Sequence, residues 1–253
     1  MTNKEDTTVK ATATSVRLIE VLLEHNGATI TELDDQVAFS KSTIHNHLDT
    51  LKQLGFVIRD NWTYRVSLRF LQIGGITRNR HPLYRASATE VRQLSTASRL
   101  VASLVVVERK TGICLCTAAR EKADEPPIEM GDTLPLHCTA PGKALLAAMS
   151  PEDVDAIIDQ NGLSEYTGNT LTSRSDLDEE LQDIRSRGIA FDREEWQEDV
   201  RGIAAVIDDS QSQLGAISVV SSADTMSGKR FQQDIPGLVI SSANRIQKRI
   251  RSQ

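Results

Sequence analysis

The sequence KSTIHNHLDTLKQLGFV, residues 41–57, decides the fold of the N-terminal third of the chain. Ile44, Leu48 and Leu51 recur at intervals of four and three residues, and this spacing predicts a helix with one apolar face. Ser40 directly precedes the helix and is a preferred N-cap residue. The opposite face carries polar side chains, which we therefore expect to be free for contact with a partner.

Two helices are predicted before this segment. The first runs from Ala13 to His25, and its spacing predicts that four apolar side chains face inward: Val16, Ile19, Leu22 and Leu23. The second begins at a capping box formed by Thr29 and Glu32. Two short helices joined by a turn of about three or four residues, the second with a polar outer face, are typical of a helix-turn-helix.

A short β-hairpin is predicted directly after the third helix. Phe56 to Arg59 and Tyr64 to Ser67 have the composition of two strands, joined around Asp60-Asn61. A hairpin of this length beside such a helix is expected of the wing in a winged helix-turn-helix. Two interpretations are open for Trp62, near the hairpin tip: contact with DNA, or packing against the third helix.

The side chains expected to face DNA carry hydroxyl, amide, imidazole or basic groups, with one aromatic ring among them: Thr31, Lys41, Ser42, Thr43, His45, Asn46, Thr50, Arg59, Trp62 and Arg65. Hydroxyls and free N–H groups in the first turn of a helix suit phosphate oxygens, and the Asn46 amide suits an adenine edge. The alternative is an ordinary solvated helix face. No metal site is expected, because His45 and His47 would point roughly 200° apart on a helix.

Charge is distributed unevenly along the chain. The 253 residues carry 29 basic and 35 acidic side chains, a net charge of −6. Up to Arg80 there are 10 basic and 9 acidic residues, whereas 19 basic and 26 acidic residues follow. A nearly neutral N-terminal part can bind phosphates locally, while the acidic remainder limits indiscriminate binding. Because the sequence has neither a secretory leader nor a run of about eighteen apolar residues, we expect a cytoplasmic protein.

The remaining two thirds of the chain predict an α+β domain. Pro82 begins a helix that extends to about Leu100, after a stretch whose helical pattern loosens at Gly74-Gly75. Strands in hairpins, with helices between them, follow and indicate a largely antiparallel sheet. The expected organisation has three parts: a winged helix-turn-helix over 1–78, a linker helix over 79–100 and a larger domain over 101–253.

The three cysteines are expected to be reduced packing residues, because their number is odd and their spacing is not that of a zinc site. Cys114 and Cys116 lie two residues apart in a predicted strand and are therefore expected on the same face of it.

The segment LHCTAPGKA, residues 136–144, places small residues before a predicted helix starting at Gly142. It lacks the first glycine and the final Ser or Thr of a phosphate-binding P-loop, so a nucleotide cofactor is not expected. Free N–H groups at the start of the helix suit a carboxylate. His137 and Cys138 diverge in direction and form no nucleophile elbow, so no catalytic residue is expected either.

In this order and spacing, the segments resemble the IclR family of transcription regulators over nearly the whole chain. The resemblance rests on a set of motifs: TEL at 31–33, KSTI at 41–44, LKQLGFV at 51–57, YRVSLRFL at 64–71, LPLHCTAPGKALLA at 134–147, RGIA at 187–190, DREE at 192–195, VRGIAAV at 200–206 and GAISV at 215–219. It implies a GAF-like effector domain, a homodimer or dimer of dimers, and binding to a palindromic operator in double-stranded DNA. The implied function is repression or activation that responds to a small organic acid or catabolite.

The resemblance also implies an effector site formed by Met130, Ala140, Pro141, Asp192, Val200, Gly202 and Ser218. Gly202 stands where many members have cysteine. Val220 stands where many members have a second serine or similar polar group after Ser218. Two polar groups that could anchor an effector are therefore missing. Asn46 stands where many members carry arginine, so the operator sequence is not implied. Two alternatives to a regulator are an adaptor that binds other proteins, and an enzyme that processes a small acid around His137, Cys138 and Asp192.

Overall fold

The computed structural model describes residues 9–119, 127–208 and 214–251. The chain divides into two compact units, Met1–Arg78 and Asn79–Gln253. The start of the chain, residues 1–8, where the sequence predicts no secretory leader, lies outside the described residues. Among the helices of the described part, none is both long and apolar enough to cross a lipid bilayer.

The N-terminal unit is built of helices α1 (Lys10–Glu24), α2 (Ile30–Gln36) and α3 (Lys41–Gln53), followed by the antiparallel strands β1 (Val57–Asp60) and β2 (Thr63–Val66). Every one of these elements contributes to a single core, through side chains such as Leu18, Leu33, Leu48, Val57 and Tyr64. The predicted apolar face of α3 is buried as expected: Ile44, Leu48 and Leu51. The helix-turn-helix and its wing are therefore both present.

Hydrogen bonds confirm the predicted starts of α2 and α3. The Thr29 hydroxyl accepts a hydrogen bond from the Glu32 backbone N–H at 3.3 Å, and Glu32 Oε2 accepts one from the Thr29 N–H at 2.7 Å. Ser40 Oγ accepts a hydrogen bond from the Thr43 N–H at 3.2 Å. These caps satisfy N–H groups that the first turn of a helix leaves without a partner, and they fix where each helix begins.

The predicted inner face of α1 is partly wrong. Val16 and Leu23 are 49% and 62% exposed, whereas Leu18 and Val21 are fully buried. Because α1 carries apolar side chains on more than one face, spacing alone does not decide which face meets α3 and the hairpin.

The stretch whose pattern loosens at Gly74-Gly75 is a continuous helix, α4 (Arg69–Arg80), and none of its residues is buried. A glycine inside a helix costs about 1 kcal/mol relative to alanine, which weakens the sequence signal without forbidding the helix. The next helix, α5 (Pro82–Ser98), begins at the expected proline and packs against the sheet of the C-terminal unit.

The described part of the C-terminal unit is organised around a six-stranded antiparallel sheet, which confirms the predicted α+β class. In the order β5-β4-β3-β8-β7-β6, its strands are β3 (Val101–Glu108), β4 (Thr111–Ala118), β5 (Thr133–Leu134), β6 (Ala190–Arg193), β7 (Val200–Asp208) and β8 (Leu214–Ser222). The helices after α5 are α6 (Ala140–Ala148), α7 (Pro151–Asn161), α8 (Arg174–Arg187) and α9 (Ile235–Arg251), the last preceded by a π-helical turn, Arg230–Asp234.

Helices cover both faces of the sheet. Helices α5 and α9 share one core with side chains such as Ile217 and Val219, and α6, α7 and α8 share the other with Ala204 and Val220. Ser218 lies between Ile217 and Val219 on β8, so it faces α6. Directly paired residues of neighbouring strands lie on the same face of a sheet. Gly202 on β7 pairs with Val220 on one side and with Asp192 on the other, so Gly202 and Asp192 also face α6. The candidate site residues on the strands therefore share one face.

The prediction that Cys114 and Cys116 lie on the same face of β4 is wrong. The register of β3 against β4 shifts between Leu104 and Val105, so that Leu104 pairs with Cys116 and Val105 with Cys114. Leu115 is thereby the extra residue of a bulge, which reverses the alternation of side chains. Cys114 packs in the core under α6 and Cys116 in the core under α5.

Candidate functional site

The polar face of α3 is open to solvent. Lys41, Ser42, His45, Asn46 and Thr50 are exposed, and Thr43 is half-buried. Directly beneath this face, the side chains of Ile44 and Leu48 are fully buried in the core. The rigid attachment of one face leaves the other free to enter a groove of DNA. Thr31, the candidate residue on α2, is exposed as well.

Several of these side chains already have partners within the N-terminal unit. Lys41 Nζ lies 3.6 Å from Asp34 Oδ2, and His45 Nδ1 lies 3.2 Å from Asp49 Oδ2. The Thr50 hydroxyl donates a hydrogen bond to the backbone carbonyl of Asn46 at 2.9 Å. This bond does not involve the side-chain amide of Asn46. Acidic neighbours thus moderate the positive charge of this surface.

The wing presents an aromatic ring stacked with a cation. Trp62 is 76% exposed, and the Arg59 guanidinium lies 5.0 Å from its ring centroid. Arg59 Nε also donates a hydrogen bond to the Asn61 carbonyl at 2.7 Å, which holds the guanidinium at the tip. Arg65, on the second strand, is exposed. Of the two interpretations for Trp62, this exposure disfavours packing against α3.

A second group of candidate residues meets at the start of α6. Thr139 caps this helix by accepting a hydrogen bond from the Gly142 N–H at 3.2 Å, so α6 begins two residues earlier than the sequence predicts. A Cβ atom added to Gly202 would lie 3.2 Å from the Ala140 Cβ and 3.3 Å from the Asp192 Cβ. The structure therefore brings three predicted effector-site residues together.

The other predicted effector-site residues differ in burial and in their position on the sheet. Pro141 is buried in the first turn of α6, and Val200 is half-buried at the start of β7, two residues from Gly202. Ser218 is 1% exposed on the same sheet face. Met130, just before β5, is 47% exposed. Met130 precedes the edge strand β5, whereas Asp192 lies on β6 at the opposite edge of the sheet.

Asp192 is 2% exposed, and its Oδ1 accepts a hydrogen bond from the Glu195 N–H at 2.8 Å. Burial raises the pKa of Asp192 to about 7; that hydrogen bond and the charge of Lys143 lower it, whereas the charge of Glu195 adds to the rise. A carboxyl group that gains or loses its proton near neutral pH can donate or accept a hydrogen bond at the site.

This region also contains a buried cation that the motifs in the sequence do not reveal. Lys143 on α6 is fully buried, and its Nζ lies 2.6 Å from each carboxylate oxygen of Glu195 and 3.0 Å from Glu180 Oε1. The sequence signal for this cation was a lysine among the apolar residues of α6. A lysine in such a place is almost never fully buried unless it is paired, so an acidic partner could have been expected. The ion pairs tie α6 to α8 and to the residues that follow β6.

The chemistry required by an enzyme is not assembled around His137 and Cys138. Burial raises the pKa of the Cys138 thiol, so the thiol holds its proton, and Cys138 is fully buried. His137 Nε2 lies 2.9 Å from the Ser164 carbonyl oxygen, and burial lowers the pKa of its imidazole. Within the described ranges, no cluster of three or more His, Cys, Asp or Glu side chains could hold a metal ion.

A winged helix-turn-helix with an open recognition helix, joined to an α+β domain with a buried polar site, defines a DNA-binding transcription regulator with a separate effector domain. Two family models match the chain: "IclR helix-turn-helix domain" over residues 13–61 and "Bacterial transcriptional regulator IclR C-terminal" over residues 77–248. The chain belongs to the IclR family of transcription regulators.

Curated relatives agree with this assignment. The probable HTH-type transcriptional regulator ArcR of Halobacterium salinarum is 29% identical over 255 residues, covering 99% of this chain and 97% of the relative. The transcriptional repressor IclR of Escherichia coli is 29% identical over 252 residues, covering 94% and 89%. These relatives are regulators, and so the enzyme alternative has no support.

Solved structures share the fold. The IclR of Thermotoga maritima superposes with a TM-score of 0.81 at 18% identity, covering 95% of this chain and 98% of that one. An IclR homologue from Microbacterium hydrocarbonoxydans, solved as a complex with 4-hydroxybenzoate, gives a TM-score of 0.77 at 19% identity, covering 90% and 92%.

Proposed function

We propose that the chain binds a short palindromic operator as a homodimer or a dimer of dimers, and that a small organic acid or catabolite changes its affinity for that operator. The observation that carries the proposal is the open polar face of α3 above the buried Ile44 and Leu48. The proposed division of roles is DNA binding by residues 1–78, a linker helix over 79–100 and effector binding by residues 101–253. The regulator would act in the cytoplasm.

In the proposed complex, α3 enters the major groove. Asn46 reads a base edge, and the first-turn groups of Lys41, Ser42 and Thr43 contact phosphates. The wing tip, with Trp62 stacked on Arg59, lies against the adjacent backbone or minor groove. The remaining proposed contacts are Thr31, His45, Thr50 and Arg65.

The exposed apolar side chains of α4 support the proposal of a dimer. Leu71 is 62%, Ile76 47% and Ile73 41% exposed, on a helix with no buried residue. Apolar side chains concentrated on one exposed helix favour burial against another chain. Two-fold symmetry between the copies would match a palindromic operator, in which each half-site receives one α3.

The proposed effector site is the buried group formed by Ala140, Asp192, Gly202 and Ser218, with Pro141, Val200 and Met130 around it. The homologue that was solved with 4-hydroxybenzoate supports a small carboxylic acid as the class of effector. An effector changes operator binding only if it prefers one placement of the two DNA-binding domains over another.

Footprinting tests this proposal. The purified protein is incubated with DNA from upstream of its own and neighbouring genes, with and without small carboxylic acids. We expect protection of a short palindrome, and a change in the protein concentration required for protection when an effector is present. A protein that protects no palindrome in any of these regions would contradict the proposal.

A further inference from the structure

Two buried hydroxyl groups lie in contact on the sheet face under α6. Ser103 Oγ on β3 and Ser218 Oγ on β8 are 2.6 Å apart, and the two residues are 0% and 1% exposed. They are direct cross-strand partners. Ser218 belongs to the proposed effector site, whereas Ser103 was not singled out by the sequence.

The two hydroxyl groups have one more hydrogen to donate than the bond between them uses. Each serine hydroxyl has one hydrogen to donate, and a bond between two hydroxyls uses only one of them. Neither serine has a further hydrogen-bond acceptor among the described residues. In the described part of the chain, one buried O–H therefore lacks an acceptor, which is a costly arrangement that a bound oxygen atom would relieve.

The surroundings of the pair are apolar. Two cross-strand pairs flank the serines on the same face: Val101 with Val220, and Val105 with Ala216. Ala204, the partner of Ser218 on β7, is a further apolar neighbour on this sheet face. A ligand there would meet the hydroxyl pair within a largely apolar wall, with the Asp192 carboxyl as the other buried polar group of the proposed effector site.

We propose that Ser103 is a ligand-contacting and specificity-determining residue of the effector site, and that the pair Ser103–Ser218 binds a carboxylate oxygen of an acid with an apolar body. This inference rests on the proposed effector site and names its ligand class. The serine pair supplies the polar anchor that Gly202 and Val220 do not provide. The valines favour a branched aliphatic or aromatic body over a small, fully polar acid.

Calorimetry on the full-length protein without DNA tests the inference, with benzoate, 4-hydroxybenzoate and isobutyrate as probes and benzamide as the uncharged mimic of benzoate. We expect at least one acid to bind, and benzoate to bind more tightly than benzamide, because hydrogen bonds to charged acceptors are stronger. Ser103→Ala should weaken binding of the acid about tenfold or more and narrow the difference between benzoate and benzamide.

Ser95→Ala is the matched control, because Ser95 is also buried but donates its hydrogen to the Leu100 carbonyl at 2.9 Å. It should leave acid binding unchanged. Equal affinities of the parent and Ser103→Ala, or a parent that binds none of the three acids, would overturn the inference. If Ser103→Ala does not fold, a crystal structure of the parent with the bound acid decides, since its carboxylate must lie within hydrogen-bond distance of Ser103 Oγ.

Failure of this inference is separate from failure of the proposed function. A parent protein that protects a palindrome but binds none of the acids overturns only the ligand class and the role of Ser103. A parent that binds an acid through Ser103 but protects no DNA overturns only the regulator proposal.

Discussion

Lys143 Nζ lies 2.6 Å from both carboxylate oxygens of Glu195, in a pair whose side chains are 0% and 6% exposed. The Lys143 ammonium also contacts Glu180 on α8. Because Asp192, three residues before Glu195, accepts a hydrogen bond from the Glu195 N–H, the ion pair and the carboxyl group of the proposed effector site belong to one connected structure. Stability and effector binding are therefore expected to be coupled here.

Replacing Lys143 should destabilise the protein strongly. Lys143→Met leaves the buried Glu195 carboxyl without its cationic partner, and such a loss typically costs about 3 to 5 kcal/mol. Urea unfolding of the C-terminal unit, monitored in the full chain, measures the change in the free energy of unfolding. The double variant Lys143→Met with Glu195→Gln should recover part of the loss, whereas Lys229→Met, at a site 75% exposed, should be nearly neutral. A single Lys143→Met variant as stable as the parent would show that the ion pair is dispensable.

Stability should fall as pH rises through the range in which Asp192 ionises. Burial raises the pKa of Asp192 in the folded state from 3.8 to about 7. Between pH 3.8 and about pH 7 the folded state binds more protons than the unfolded state. The stability that the protonated Asp192 contributes is therefore complete below about pH 4 and is lost as the pH approaches 7.

Asp192→Asn provides the comparison, because its side chain does not titrate. Urea titrations from pH 5 to 8 should show the parent losing stability relative to this variant, by at most about 1.4 kcal/mol per pH unit, with a plateau above pH 7. Parallel stability curves would rule out an ionisation of Asp192 in this range.

Trp62→Ala should separate DNA binding from folding. The ring is 76% exposed and contacts Arg59, so its removal should change the free energy of unfolding by less than about 0.5 kcal/mol. Affinity for the operator, measured by fluorescence anisotropy, should nevertheless fall. A large loss of stability would instead indicate that Trp62 packs against the N-terminal unit in solution.

An acidic side chain on α4 should weaken the proposed dimer. Leu71→Asp places a charge among apolar side chains that we expect to be buried between two copies, and charges are costly there unless paired. Analytical ultracentrifugation should show a shift towards monomers. Ile58→Asp is the matched control, since Ile58 is 52% exposed on the wing. Identical sedimentation of the parent and Leu71→Asp would exclude α4 from the interface.

Local signals in the sequence were sufficient to predict where α2 and α3 begin and which face of α3 is apolar. The capping box of Thr29 and Glu32, the N-cap Ser40 and the apolar spacing of α3 each rest on contacts within a few residues, and all are present. The inner face of α1 could not be fixed in the same way, because tertiary packing chooses among its several apolar faces.

The features missed in the C-terminal unit depend on contacts that are distant in sequence. The Lys143 ion pair joins residues 52 positions apart, and the Ser103–Ser218 pair joins residues 115 positions apart. The bulge at Leu115 is set by the register between two strands, which alternation in one strand does not reveal. The motifs predicted the residues of the proposed effector site, but the Ser103–Ser218 pair could be found only from the fold.

The role of α3 is tested most directly by a gel-shift titration of Asn46→Ala and Lys41→Ala on the footprinted operator, with Lys229→Ala as the control for loss of a lysine. Asn46→Ala should cost about 1 to 3 kcal/mol on the operator and little on unrelated DNA, while Lys41→Ala should reduce the salt dependence of binding by about one phosphate contact. If the two variants bind the operator with the same affinity and salt dependence as the parent protein, α3 is not the recognition helix.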